Sequence, residues 1–535
     1  LLFTGQTFAA NKYFSASGSD SGAGTIGSPW QTISKLNSIY SSLTAGDSVL
    51  FKAGDTFTGS ITVNKAGVII GRYGTGADPV ITGFYTVPAW TNVGTNLWES
   101  TAAVSTLSTC KIISINGANI AKGRTPNSGY WTILSRSTNS ITDATHLNAS
   151  ITNWTGATVV MRKYRWITDA FTITSASGGT LNFTNTGDAT QAGYGYFIQD
   201  DVRCLDQVNE WTYNTSTKKI TIYSVGSPTA TIKVPAAETA IDLNGFANIT
   251  IDRITMTGFN SYGVYGPGND GTVVKNCSFN LIGNIAIYQY ASGQDASNCN
   301  IQNNTITEIG SMGIYAGYSS GSTITGNTII RVGRYPGMGG NGDVSYCGIV
   351  NVGDNQTTTY NTVRAAGYCG IRFDGNSALI QGNFIDSTNF VKDDGGGIYV
   401  YPQQTGPNDT VTYTTRIVRD NIVINTLGAI AGGEPSSNHS EGYAIYNDGT
   451  SPDVSYINNT AATAEYGTFF TSTDRTVVDS NTVYDCKRGL YVVNYSGYGV
   501  ENLTVRYNIF VAKEADQYAA YYEPGAATMP ASFDA

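Results

Sequence analysis

At 535 residues with a formal net charge of −9, the chain can bury a large core and fold as more than one unit. The acidic balance argues against a nucleic-acid partner, which requires a basic surface, and no apolar run approaches the ~20 residues that cross a membrane. Seven cysteines without a C-x-x-C pair and two histidines (His146, His439) argue against a disulfide framework, a zinc or His-rich metal site, and a Ser-His-Asp triad.

Only 13% of residues are charged, glycine is abundant (62) and proline scarce (14), which suits stacked β-structure better than helices. Residues 1–10, opening Leu1-Leu2-Phe3 and reaching Phe8-Ala9-Ala10, read as the tail of a signal peptide cut near Ala10. The expected location is therefore secreted, extracellular or periplasmic. Residues 11–83 read as an N-terminal cap and first coils. Ile33, Leu36 and Ile39 have helical spacing, which predicts one short helix over 32–42. Strands are predicted at 48–52, 60–63, 68–70 and 80–82, separated by Gly-Asp and Asn-Lys turns. This opening resembles that of secreted right-handed parallel β-helix proteins.

Residues 84–235 lose any fixed period, and all seven tryptophans lie at or before Trp211. Uneven strands between long polar stretches predict an inserted β-sandwich-like domain. The runs Ala121-Lys-Gly-Arg-Thr-Pro-Asn127, Gly193-Tyr-Gly-Tyr-Phe-Ile198 and Val208-Asn-Glu-Trp-Thr-Tyr-Asn214 resemble the insert of β-helix glycoside hydrolases of families 120 and 141.

Residues 236–535 carry an internal repeat. An Asn before a short apolar or Thr-Ile step recurs at Asn276, Asn304, Asn327, Asn361, Asn383, Asn421, Asn459, Asn481 and Asn508. A second element places an apolar residue (Thr once) at Val264, Ile287, Ile314, Ile349, Ile371, Ile398, Ile445, Thr468 and Leu490. The shortest steps, 22 or 23 residues, set a minimal coil, so the fold class is all-β: a right-handed parallel β-helix carrying an insert and a short capping helix. The asparagines are expected in one inward column, bonded to neighbouring rungs. Cys277 with Cys299, and Cys347 with Cys369, are expected to stack as small buried thiols.

The residue after each apolar position forms an outward column: Tyr265, Tyr288, Tyr315, Val350, Arg372, Tyr399, Tyr446, Phe469, Tyr491. Aromatic residues along a groove suit sugar rings; a tyrosine ladder equally stabilises parallel strands unaided. Long polar excursions at 334–343, 403–409 and 432–440 cluster around these rungs, as walls of a groove would.

One rung breaks the pattern with charge, at Val391-Lys392-Asp393-Asp394-Gly395-Gly396-Gly397-Ile398-Tyr399. Asp394 lies four residues before Ile398, and Glu441 four before Ile445, so the repeat register sets them on adjacent rungs about 4.8 Å apart. Two carboxyls about 5–5.5 Å apart are the requirement of a retaining glycosidase. A register shift within the 47-residue gap would instead leave Glu441 in a loop, with Glu434 the nearest rival acid. The resemblance to family 120 implies Asp394 as nucleophile and Glu441 as acid/base, with Asp393 or Asp448 orienting or sugar-binding. Arg372, Lys392, Tyr399, Tyr401, Tyr446, Asp448, Glu434 and Asp374 are the expected substrate contacts.

The leading expectation is a secreted retaining glycoside hydrolase whose partner is a plant or algal polysaccharide or oligosaccharide, xylan-type included. It requires no cofactor, metal, nucleic acid or membrane. A polysaccharide lyase is the alternative, with Lys392 or Arg372 as base and calcium held by Asp393, Asp394 and Asp374. A non-catalytic adhesin or structural β-helix is the third.

Overall fold

The computed structural model describes residues 9–147, 153–290, 297–401, 412–449, 451–471, 473–494, 500–523 and, as strand backbone, 531–534. Most of the proposed signal remnant and all of the 403–409 excursion fall outside the described residues.

Three parallel sheets of 14, 12 and 12 strands wind around one apolar core. Each full coil runs from the first sheet to the second and then the third, as in Asn300–Gln302, Thr305–Ile309 and Met312–Gly317. The apolar repeat positions pair in continuous register from Val264 to Leu490, all within the core. At the N-terminal end, the helix is Ile33–Ile39 with a single 3-10 turn at Tyr40–Ser42; Thr32 caps it by accepting the Lys35 N–H at 3.0 Å.

The corner between the first and second sheets holds the asparagine ladder. Asn383 Nδ2 donates to Thr358 O and to Asn421 Oδ1, both at 2.9 Å, and its backbone N–H donates to the same Asn421 oxygen at 2.9 Å. The pattern repeats from Asn304 to Asn508, so these buried amides meet neighbours above and below. Asn276 departs from the expected column. The ladder position on its rung is Cys277, whose N–H donates to Asn304 Oδ1 at 2.9 Å. Asn276 occupies the preceding turn position, which is left-handed on every rung (φ 54° here, 55° at Asn303, 57° at Asp420) and which asparagine tolerates. Cys277 and Cys299 lie at opposite ends of the first-sheet strands: Cys299 continues the column of Thr272, before the strand, and Cys277 follows it, so these two thiols do not stack. Cys347 and Cys369 do stack on adjacent rungs, fully buried.

Strands from Phe84–Thr86 to Ile232–Pro235 form three antiparallel sheets, of eight, four and four strands, none joined to the coil sheets. They enclose two separate cores, one around Val159, Met161, Tyr196 and Ile198, the other around Ile113, Trp211, Ile220 and Val234. The insert leaves the coil between Val80–Thr82 of the second sheet and Thr239–Asp242 of the third. The 334–343 and 432–440 excursions leave from the same corner on later rungs. All three meet there: Gly195 N donates to Gly432 O at 2.8 Å, and Gln199 Nε2 to Gly337 O at 3.0 Å.

Candidate active site

The strands Gly395–Val400 and Gly442–Asn447 pair in parallel with Ile398 opposite Ile445 and Tyr399 opposite Tyr446. The 47-residue gap therefore leaves the register intact, because the extra chain bulges out at the corner. Asp394 and Glu441 take equal places before the two strands, and Asp394 N donates to Glu441 O at 2.8 Å. In return, Glu441 N donates to Asp393 Oδ1 at 2.6 Å. None of the three glycines has room for a side chain: one at Gly395 would strike Tyr368, one at Gly396 the Ile398 carbonyl, and one at Gly397 Val423.

The unexpected member of the site comes from the insert. Arg165 lies in the turn between the strands Thr158–Tyr164 and Ile167–Ser177, with its side chain only 5% exposed. Nη1 meets Asp393 Oδ2 at 2.6 Å, Nε meets Glu434 Oε2 at 3.2 Å, and Nη2 meets Glu441 Oε1 at 3.3 Å. Its carbonyl accepts the Asp393 N–H at 3.0 Å and Arg162 Nη2 at 2.6 Å. Arg162, fully buried, also donates to Val391 O and Ala429 O at 3.0 and 3.1 Å, pinning the turn to the rungs.

Burial raises the proton affinity of Glu441; Arg165 opposes the shift and Asp393 adds to it. Asp394 is pushed well above the usual carboxylate range by burial and by the neighbouring carboxylates Asp448 and Glu441, against a hydrogen bond from Tyr446. Asp448 is raised by burial, against hydrogen bonds from Tyr399 (2.9 Å), the Gly449 N–H (2.7 Å), Tyr446 and Thr471 (3.3 Å). Glu434 is lowered by its bonds to Ser436 and Arg165. Three acids thus share one patch: Asp394 and Asp448, bridged by the Tyr446 hydroxyl, and Glu441. Tyr443 donates to Glu441 Oε2 at 3.3 Å and packs 4.1 Å from the Tyr446 ring.

Several expected contacts stand elsewhere. Lys392 is 0% exposed and does not line a groove; its ammonium donates to Gly342 O at 2.6 Å and Ser345 Oγ at 2.8 Å. It lies over the Tyr368 and Tyr346 rings at 5.0 and 5.2 Å, and burial lowers its proton affinity to a pKa of about 8. It anchors the 334–343 excursion. Asp393, also 0% exposed, is spent on Arg165 and the Glu441 backbone. Asp374 pairs with buried Arg416 at 2.7 Å rather than with Asp393 or Asp394. Arg372 faces outward but is already bound to Asp343 at 2.9 Å, 5.4 Å from the Tyr399 ring. Tyr401 packs across Gly449 at the rim. Among the described residues, no three of His, Cys, Asp and Glu gather to hold a metal ion.

Sequence reasoning missed Arg165, Tyr443 and His439, whose Nε2 is 3.6 Å from Glu441 Oε1. It also missed Trp166, which stacks on Tyr164 at 5.0 Å and packs against the outer aromatic cluster. The only sign of Arg165 is a run of cations, Arg162-Lys163-Tyr164-Arg165, closing an otherwise apolar strand.

The molecule is a right-handed parallel β-helix with an acid-lined patch on the outer face of its third sheet. Residues 214–431 match the family model described as the right handed beta helix region. A solved structure described as a glycoside hydrolase superposes with a TM-score of 0.64 at 13% identity, covering 94% of this chain and 96% of that one. XylC, solved in complex with xylose, superposes with a TM-score of 0.52 at 15% identity, covering 94% of this chain and 76% of XylC. At these identities the likeness is one of fold. No curated protein matches the sequence.

Proposed function

We propose that this protein is a carbohydrate-active enzyme, a retaining glycoside hydrolase acting on a plant or algal polysaccharide or oligosaccharide, xylan-type chains included. The carrying observation is the in-register placement of Asp394 and Glu441 on adjacent rungs, joined by the 2.8 Å backbone bond. The fold shared with a described glycoside hydrolase and with xylose-binding XylC supports the same reading.

In this mechanism Glu441 protonates the leaving glycosidic oxygen while an Asp394 oxygen attacks the anomeric carbon, giving a glycosyl ester. Glu441, now a carboxylate, takes a proton from water; the water oxygen displaces Asp394 and configuration is retained. A raised proton affinity suits Glu441 as the acid. Asp394 must ionise to attack, and Tyr446 is placed to steady its charge. Asp393 and Arg165 act through Glu441 as positioning residues. The chemistry needs no cofactor, and action on an external polysaccharide carries the expectation of export. The lyase alternative is disfavoured because, of its two candidate bases, Lys392 is sealed under a loop and Arg372 is held in an ion pair with Asp343.

The test is a polysaccharide panel read both by reducing-sugar release and by absorbance of a new double bond. Hydrolysis with a retained anomeric configuration is expected. Asp394→Asn and Glu441→Gln should each lower kcat by several orders of magnitude. Glu441→Gln should largely spare the first step on substrates with an activated leaving group. Full activity in the double variant, or double-bond formation, would reject the mechanism.

A further inference from the structure

We propose that the outer face of the third sheet, on the N-terminal side of the acids, is a binding strip for an uncharged glycan chain lying along the helix axis. Its role in feeding the acids rests on the hydrolase reading; the strip itself does not.

Tyr265, Tyr288 and Tyr315 stand on successive rungs with ring centroids 5.3 and 5.4 Å apart and planes within 13°. Stacked this closely, the rings cover each other's faces and present edges and hydroxyls. Tyr290 lies 6.0 Å from both Tyr288 and Tyr315. Tyr318, 52% exposed, stands at 82° to Tyr290 with centroids 5.7 Å apart, forming an upright wall against the flat strip.

The hydroxyls of Tyr288, Tyr290, Tyr315 and Tyr318 make no hydrogen bond among the described residues. Stacking alone would be served equally by phenylalanine. Hydroxyls that both donate and accept, set among apolar ring edges, complement the alternating C–H faces and hydroxyl rims of a sugar. The rung repeat of about 4.8 Å is close to the length of one pyranose unit in an extended chain, so successive rungs can take successive sugars.

The strip is continuous with the acid patch. Tyr315, Val350, Arg372, Tyr399 and Tyr446 follow one another in a single register. Tyr315 therefore lies three rungs, roughly 14 Å, before Tyr399. The charge met on the way, Arg372 with Asp343, is already self-neutralised at 2.9 Å. A polyuronate finds no free cation in that pair, whereas a neutral chain has no charge to match.

The test uses affinity gels containing soluble xylan, soluble glucan or polygalacturonate, together with KM measured on xylan and on an aryl xyloside. The variants are exposed Tyr318→Ala and the hydroxyl-only double change Tyr288→Phe/Tyr290→Phe, which keeps the stack. A neutral polymer should retard the wild type, and each variant should weaken Kd and raise polymer KM about ten-fold. Aryl xyloside turnover should stay unchanged. Equal retardation of wild type and both variants, no retardation by either neutral polymer, or stronger retardation by polygalacturonate would overturn the strip. Retardation lost in the variants, with no hydrolysis by the wild type, would uphold the strip and reject the hydrolase reading.

Discussion

Arg165 offers the sharpest perturbation, because one guanidinium from the insert holds three carboxylates of the coil. Arg165→Met removes contacts of 2.6, 3.2 and 3.3 Å and leaves Asp393 fully buried with no cation. Breaking a buried pair from one side costs about 3–5 kcal/mol, and that range applies to Asp393. The Glu434 contact, half exposed, contributes little to stability. The double variant Arg165→Met/Asp393→Asn should recover much of the loss, since no buried charge is then stranded. A second readout is the pH profile of kcat/KM on an aryl glycoside. Arg165 pulls the proton affinity of Glu441 down against burial, so its removal moves Glu441 further up. The alkaline limb should shift to higher pH by about 1–2 units, the range of a neighbouring charge lost at this distance. Arg165→Lys keeps the charge but not the fork, and should fall between the two. Thermal inactivation and the pH profile together decide. Wild-type stability with an unmoved alkaline limb in Arg165→Met would refute the reasoning.

Two further outcomes follow from the same geometry. Ionisation of Asp394 is required for attack and its proton affinity is raised, so the acid limb should lie above the ordinary carboxylate range; Asp448→Asn, by removing a neighbouring negative charge, should move that limb to lower pH in kcat/KM profiles. Asn421→Ala strands the buried backbone N–H of Asn383, at a cost of about 1–3 kcal/mol, and leaves its Nδ2 held by Thr358 O alone, so it should lower the midpoint of thermal inactivation clearly; an unchanged midpoint would count against the ladder as a stabilising element.

What the sequence disclosed, and what it hid, follows from periodicity. The apolar column and the Asp394–Glu441 register were legible because every rung must return its inward side chain to the same core, whatever the intervening loop does. Asn276 misled because two adjacent corner positions both favour asparagine for different reasons: one fills the ladder, the next adopts left-handed backbone. Lys392 looked like a groove residue beside two aspartates, yet strand alternation does not reach into the corner turn where it bends under the 334–343 excursion. Arg165 lay beyond any periodic argument, since its partner Asp393 is 228 residues away and the insert has no repeat to fix a register.

The two corners of the second sheet divide labour in a way that bears on how such a protein can diversify. One edge carries the unbroken asparagine spine, which tolerates no change of length without severing amide-to-amide bonds. The opposite edge releases the insert and both long described loops, and the coil closes behind each of them in step. Chain can therefore be added or trimmed along that margin, reshaping what docks above the acids, while the spine's bonding pattern stays as it was. Grafting a foreign loop between the strands Thr328–Val332 and Ile349–Val352, with Gly342 and Ser345 kept as the partners of buried Lys392, should consequently alter ligand choice far more than heat resistance.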